Sequence, residues 1–144
     1  VSTPDALARA CAAAMWADDH ASQGLGMALV AVAPGRAVLR MAVTQAMANG
    51  HGMCHGGFLY TLADSAFAFA CNSHGERAVA NHCSITYLRP GRVGDTLTAT
   101  AQERARSGRS GVYDVELTDG EGTVIAEFRG VSRVIGTFPA AEAG

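Results

Sequence analysis

The chain has 144 residues, with 11 basic and 13 acidic side chains for a net charge of −2, and 49% of it is hydrophobic. That length suits one domain (1–144) with a real core, and the balanced charge leaves no footprint for nucleic acid. Cys11, Cys54, Cys71 and Cys83 form no Cys-x-x-Cys pair and no secretory leader is visible, so reduced thiols and a cytoplasmic location are expected.

Thr3-Pro4-Asp5 reads as an N-cap, a first-turn proline and an early acid, opening a helix to about Asp19. Leu7, Cys11, Ala14 and Met15 share one face of it, and Trp16 is expected to pack onto the core. Leu25 to Val32 reads as a strand apolar on both faces. Pro34-Gly35 turns the chain into a second strand, Arg36 to Val43, with Ala37, Leu39, Met41 and Val43 on one side. Past a central helix come four more strands: Ala78 to Leu88, Asp95 to Arg106, Val112 to Thr118 and Thr123 to Ile135. Ser107-Gly108-Arg109 and Asp119-Gly120 supply turns between them. The order predicts an α+β architecture: a curved, largely antiparallel sheet of about six strands wrapped around one long central helix, with an N-terminal helix.

The central helix runs from the glycine-rich stretch after Asn49 to about His74. Phe58, Leu59, Tyr60, Leu62, Ala63, Ala66, Phe67 and Phe69 make it apolar on every side, which predicts enclosure by the rest of the fold. It is too short and too interrupted by Thr61, Asp64 and Ser65 to span a membrane. Asp64 is the lone acid between Asp19 and Glu76. A carboxylate in such surroundings either bonds a nearby hydroxyl and fixes packing, or marks a functional site. Gly52, Gly56 and Gly57 leave backbone N–H groups uncovered where the helix begins. That arrangement serves either as a turn that needs glycine or as a place to polarise a carbonyl oxygen. His51, Cys54 and His55 do not have the spacing of a zinc site, and no metal or other cofactor is expected.

The run from Asn49 to Gly75 contains His55-Gly-Gly57 and Leu62-Ala-Asp64 on one helix, followed by Ile85-Thr-Tyr-Leu-Arg-Pro-Gly91, Gly94-Asp95-Thr-Leu and Gly111-Val-Tyr-Asp114. On these motifs the chain resembles the hotdog-fold thioesterases, and within them the PaaI-type (phenylacetic acid degradation) group, from about Leu25 to Arg133. The resemblance implies hydrolysis of an acyl-CoA thioester, of the phenylacetyl-CoA or hydroxyphenylacetyl-CoA class. It makes Asp64 the nucleophile or the base for water, Gly56 the backbone N–H that polarises the thioester carbonyl, Asn49 a loop amide holding water or substrate, and His55 an orienting group. Some relatives carry a hydroxyl on the next strand, where this chain has Ala80, so no role is assigned there.

Gly56 and Asp64 lie roughly 12 Å apart along one helix at 1.5 Å per residue. A shared site therefore calls for two chains with these helices antiparallel, a homodimer at minimum, and the expected assembly is a homotetramer built as a dimer of dimers. Gly57 and Phe58 are expected to meet the acyl group. Arg89, Arg106 and Arg109, with Arg92 and Arg104, stand at strand ends and turns, where they suit CoA phosphates or serve as solvated surface charges. Two other readings use the same residues: a hydroxyacyl-thioester dehydratase with His51 or His55 beside Asp64, and a non-catalytic acyl-CoA-binding protein.

Overall fold

The computed structural model describes residues 3–138. Helix α1 (Pro4–Asp18) and the short α2 (His20–Gly24) precede strands β1 (Ala28–Ala33) and β2 (Arg36–Ala42). After a 3₁₀ turn at Gln45–Met47 comes α3 (Gly56–Cys71), followed by β3 (Glu76–Tyr87), β4 (Thr96–Ser107), β5 (Ser110–Thr118) and β6 (Val124–Thr137). The six strands form one antiparallel sheet in the order β1-β2-β4-β5-β6-β3, so β1 and β3 are its edges.

Period-two alternation explains the grip on α3. Ala37, Leu39 and Met41 of β2, Leu97, Ala99 and Ala101 of β4, and Tyr113, Val115 and Leu117 of β5 are all buried on one face. They close over Leu59, Leu62, Ala63, Ala66, Phe67, Phe69 and Ala70 of the helix. Trp16 reaches down to Phe69, ring centroids 6.1 Å apart, as its place in the sequence predicts.

Three local readings need correction. In α1 the buried face is Ala8, Cys11 and Ala12, while Ala14 is exposed; an alanine-rich helix offers several faces of similar apolarity, and packing on β1 chooses among them. Strand β1 starts at Ala28, after α2 and a turn in which Gly26 takes φ +72°, and as an edge strand it leaves Val30 largely exposed. The β5–β6 turn is longer than a two-residue hairpin. Asp119 accepts from the Glu121 and Thr123 N–H groups through its side chain, and the positive φ falls on Gly122.

The far end of α3 is fixed by a polar cluster. Glu103 Oε1 accepts from the Tyr113 hydroxyl at 2.8 Å and pairs with His74 Nε2 at 2.7 Å, while Arg106 stands 3.6 Å from it and also meets Glu76. Burial alone would raise the Glu103 carboxyl, but the bonds from His74 and Tyr113 and the charges of His74 and Arg106 hold it below its ordinary 4.5. A carboxyl lowered on folding stabilises the native state above its unfolded value and loses that contribution as pH falls through the native one. Glu103→Gln is therefore expected to lower stability at neutral pH by about 1–2 kcal/mol, the difference between charged and neutral hydrogen bonding. The deficit should shrink in acid, below the ordinary glutamate range, as urea melts at the two pH values will measure.

Candidate active site

Helix α3 begins with two glycines, and its first N–H groups are shared out unequally. His55 is the N-cap: its Nδ1 accepts from the Gly57 N–H at 3.0 Å, so in the neutral ring the proton sits on Nε2. The Phe58 N–H goes to the His55 carbonyl at 2.9 Å. The Gly56 N–H has no acceptor among the described residues. It therefore keeps the unpaired donor and partial positive charge of a helix start.

Gly56 lines a cavity of about 500 Å³ with Asn49, Met53, Cys54, Leu59, Tyr87, Leu88, Arg89 and Pro90. Asn49 organises the loop beside it: its Oδ1 accepts from the His51 and Met53 N–H groups at 2.9 and 3.1 Å. The Asn49 amide nitrogen has no protein partner among the described residues. The Cys54 N–H donates to the Gly91 carbonyl at 2.8 Å, tying the loop to the chain that follows β3. Burial pushes the Cys54 thiol up, away from the thiolate form that a nucleophile needs. Among the described residues no three His, Cys, Asp or Glu side chains gather in a way that could hold a metal ion.

Asp64 is not in that cavity. It stands two turns further along α3, half-buried, and burial raises its carboxyl above the ordinary aspartate value of 3.8. Among the described residues its side chain has no hydrogen-bond partner; Ser65, its neighbour in sequence, bonds Ser22 at 2.8 Å instead. Its charge is felt by Tyr60 on the preceding turn and by Cys83 of β3. The exposure pattern of α3 places Asp64 more sharply. Gly57, Tyr60, Thr61, Asp64 and Ala68 are incompletely covered, while Leu59, Leu62, Ala63, Ala66 and Phe67 are buried. Those five follow helical spacing, so one stripe of the helix stays open and Asp64 lies on it, with the partly covered Gly56, Phe58 and Ser65 at its margins.

The other expected site residues are divided. Arg89 lines the Gly56 cavity and donates to the Val124 carbonyl at 2.6 Å. Arg106 is at the opposite end of α3, held by Glu76 and Glu103, and Arg109 is exposed in the β4–β5 turn. Neither lines that cavity. Phe58 faces a separate cavity of about 270 Å³ with Leu25 and Met47. His51 and Ala80 are exposed.

One residue of the cavity had no role in the sequence reading. Tyr87, on the last position of β3, donates its hydroxyl to the Gly56 carbonyl at 3.0 Å, and its ring stands so close that a Cβ on residue 56 would meet it at 3.1 Å. Its signal was the Ile85-Thr-Tyr87 motif, but a contact across 31 residues leaves no mark on local periodicity.

The family model described as the thioesterase superfamily matches residues 51–126. The acyl-coenzyme A thioesterase PaaI of Escherichia coli is 50% identical over 123 residues, 85% of this chain and 88% of that protein. A solved structure of the E. coli PaaI protein from the phenylacetic acid degradation operon covers 94% of this chain and 99% of its own, with a TM-score of 0.93 at 47% identity. A Streptococcus mutans protein solved bound to acetyl CoA has a TM-score of 0.75 at 28% identity, covering 78% of this chain and 90% of that one. The chain belongs to the thioesterase superfamily, with the hotdog fold that a sheet closed around one helix defines. Within that superfamily it is a thioester hydrolase of the PaaI type.

Proposed function

We propose that this enzyme hydrolyses an aryl-acyl-CoA, of the phenylacetyl-CoA or hydroxyphenylacetyl-CoA class, at sites shared between two chains. The observation that carries the reading is the separation on α3 of its two catalytic features. Gly56, whose N–H has no acceptor among the described residues, lines a cavity at the helix start, while Asp64 lies on the uncovered stripe roughly 12 Å further on at 1.5 Å per residue. Beside that stripe runs β3, 12 residues long and, among the described residues, unpaired along its outer edge, with Val79 46% exposed. A long free edge is a template for another strand. Antiparallel pairing of β3 with β3 of a second copy would lay the two α3 helices side by side in opposite directions, bringing each Asp64 toward the other chain's Gly56. Each dimer then carries two sites, and two such dimers make the tetramer included in this reading.

In that site the thioester carbonyl oxygen takes the Gly56 N–H, which strengthens its hold as negative charge develops there. The Asp64 carboxylate of the other chain attacks the carbonyl carbon or takes a proton from the water that does. The bond to sulfur breaks and CoA leaves as the thiol; direct attack leaves the acyl group on Asp64 as a mixed anhydride that water then hydrolyses, whereas attack by water gives the free carboxylic acid in one step. Asn49, which lines the cavity and whose amide nitrogen has no protein partner among the described residues, holds water or substrate, and His55 fixes the helix start. Arg89, at the mouth of the same cavity, suits a CoA phosphate; Arg106 and Arg109 reach CoA only if a partner chain brings its cavity to them. The aromatic and aliphatic surface near the site, Leu59 and Tyr87 in the cavity and Tyr60 on the uncovered stripe, is the support for an aryl acyl group. Four free thiols fit action in the reducing cytoplasm.

Release of free thiol from a panel of aryl- and alkyl-CoA esters tests the proposal. Phenylacetyl- and hydroxyphenylacetyl-CoA should have the highest kcat/KM, and the thiol should appear one for one with acid. Dehydration or simple binding would release none, and a higher kcat/KM on straight-chain acyl-CoA would overturn the aryl assignment.

A further inference from the structure

A helix that begins Gly-Gly has the loosest first turn that a chain can offer, because neither residue has a side chain to restrict its backbone. A carbonyl-polarising donor needs the reverse, an N–H already aimed before charge develops. The peptide between Gly56 and Gly57 is held at both ends by side chains. Its N–H donates to His55 Nδ1 at 3.0 Å, and its carbonyl accepts from the Tyr87 hydroxyl at 3.0 Å. One clamp comes from the N-cap and the other from the end of β3. The Gly56 N–H belongs to the preceding peptide, whose carbonyl, that of His55, accepts from the Phe58 N–H at 2.9 Å; with the peptides on both sides of Gly56 held, its two torsions are restricted, and with them the direction of its N–H. The Tyr87 ring also occupies the space in which a side chain on residue 56 would stand.

We propose that Tyr87 is a positioning residue for hydrolysis: with His55 it locks the Gly56–Gly57 peptide so that the Gly56 N–H points into the cavity that takes the thioester carbonyl. The inference rests on the reading of Gly56 as the polarising donor. Tyr87 is 49% exposed, and its hydroxyl makes no other hydrogen bond among the described residues. Tyr87→Phe therefore removes one bond and leaves the ring in place. A neutral hydrogen bond that supports a transition-state contact is worth roughly three- to tenfold in rate.

The test combines steady-state kinetics of Tyr87→Phe on phenylacetyl-CoA with amide hydrogen exchange at Gly57. The expected result is a kcat three- to tenfold lower with KM unchanged, faster exchange of the Gly57 N–H, and an unchanged melting temperature. Unchanged exchange would overturn the clamp while leaving Gly56 as donor. Faster exchange with unchanged kcat would overturn the positioning role and count against Gly56 as the donor as well. A rise in KM alone would make Tyr87 a binding wall and sink the proposal.

Discussion

Asp64→Asn is expected to lower kcat by about 10²–10⁴-fold, the usual worth of a positioned base, and to raise the melting temperature at neutral pH. Both effects have one cause. Asp64 is half-buried in the apolar helix, without a hydrogen-bond partner among the described residues, and burial raises its carboxyl. A group raised on folding gives stability that is fully present below its unfolded value and is lost as pH climbs through the native one. Near neutrality the ionised carboxylate is thus a burden to the fold, and asparagine removes it. Hydrolysis needs the ionised form, so kcat/KM of the wild type should fall in acid along a limb centred above 3.8, the ordinary aspartate value. An Asp64→Asn enzyme that kept most of its activity would remove Asp64 from the mechanism. One that was inactive and also less stable would make the carboxylate a packing group.

Phe67→Ala is expected to cost about 3–5 kcal/mol, the usual loss for truncating a fully buried phenylalanine. Phe67 is 1% exposed and stands between Tyr113 and Phe128, with ring centroids 5.6 and 5.8 Å away. Its ring also stands against Gly130, where a Cβ would come within 2.7 Å of it. Glycine on β6 thus makes the room that the ring fills, and the backbone there cannot collapse onto alanine. Denaturant melts will measure the loss, and one below about 1 kcal/mol, as for a surface site, would mean that the ring does not bridge helix and sheet in this way. Because Asp64 is only half-buried and Phe67 fully enclosed, the two variants separate chemistry from packing.

Much of the fold could be read from the chain because its signals are local. Alternation in β2, β4 and β5 and the all-round apolar run of α3 each lie within one segment, and the strands follow them. Helix α2 escaped notice, since five residues ending in glycine carry no periodicity and its cap, Asp19, also closes α1. The lone acid at Asp64 stood out in sequence because nothing charged surrounds it. The separation of Arg89 from Arg106 did not, because it depends on Glu76 of β3 and Glu103 of the same strand holding Arg106 at the far end of the helix. The commitment of the Asn49 oxygen to loop N–H groups, which leaves its nitrogen without a protein partner among the described residues, also required coordinates.

The claim that one chain's Gly56 serves the other chain's Asp64 is tested most directly by mixing two inactive variants, Asp64→Ala and Gly56→Pro. Proline at the first helical position removes only an N–H without an intrahelical partner, and His55, with φ −59° and ψ 134°, already has the backbone that precedes proline. Its Cβ would press on the Tyr87 ring at 3.1 Å, but that ring is half-exposed and can move outward by a few tenths of an ångström. Circular dichroism should show both variants folded, and each alone should be inactive. In a mixed dimer one site joins the intact Gly56 of one chain to the intact Asp64 of the other, and the second site inherits both defects. Refolding the two together should restore about a quarter of wild-type activity if chains pair at random in two-fold dimers. No recovery from a well-folded mixture shown to contain mixed dimers would contradict the shared site.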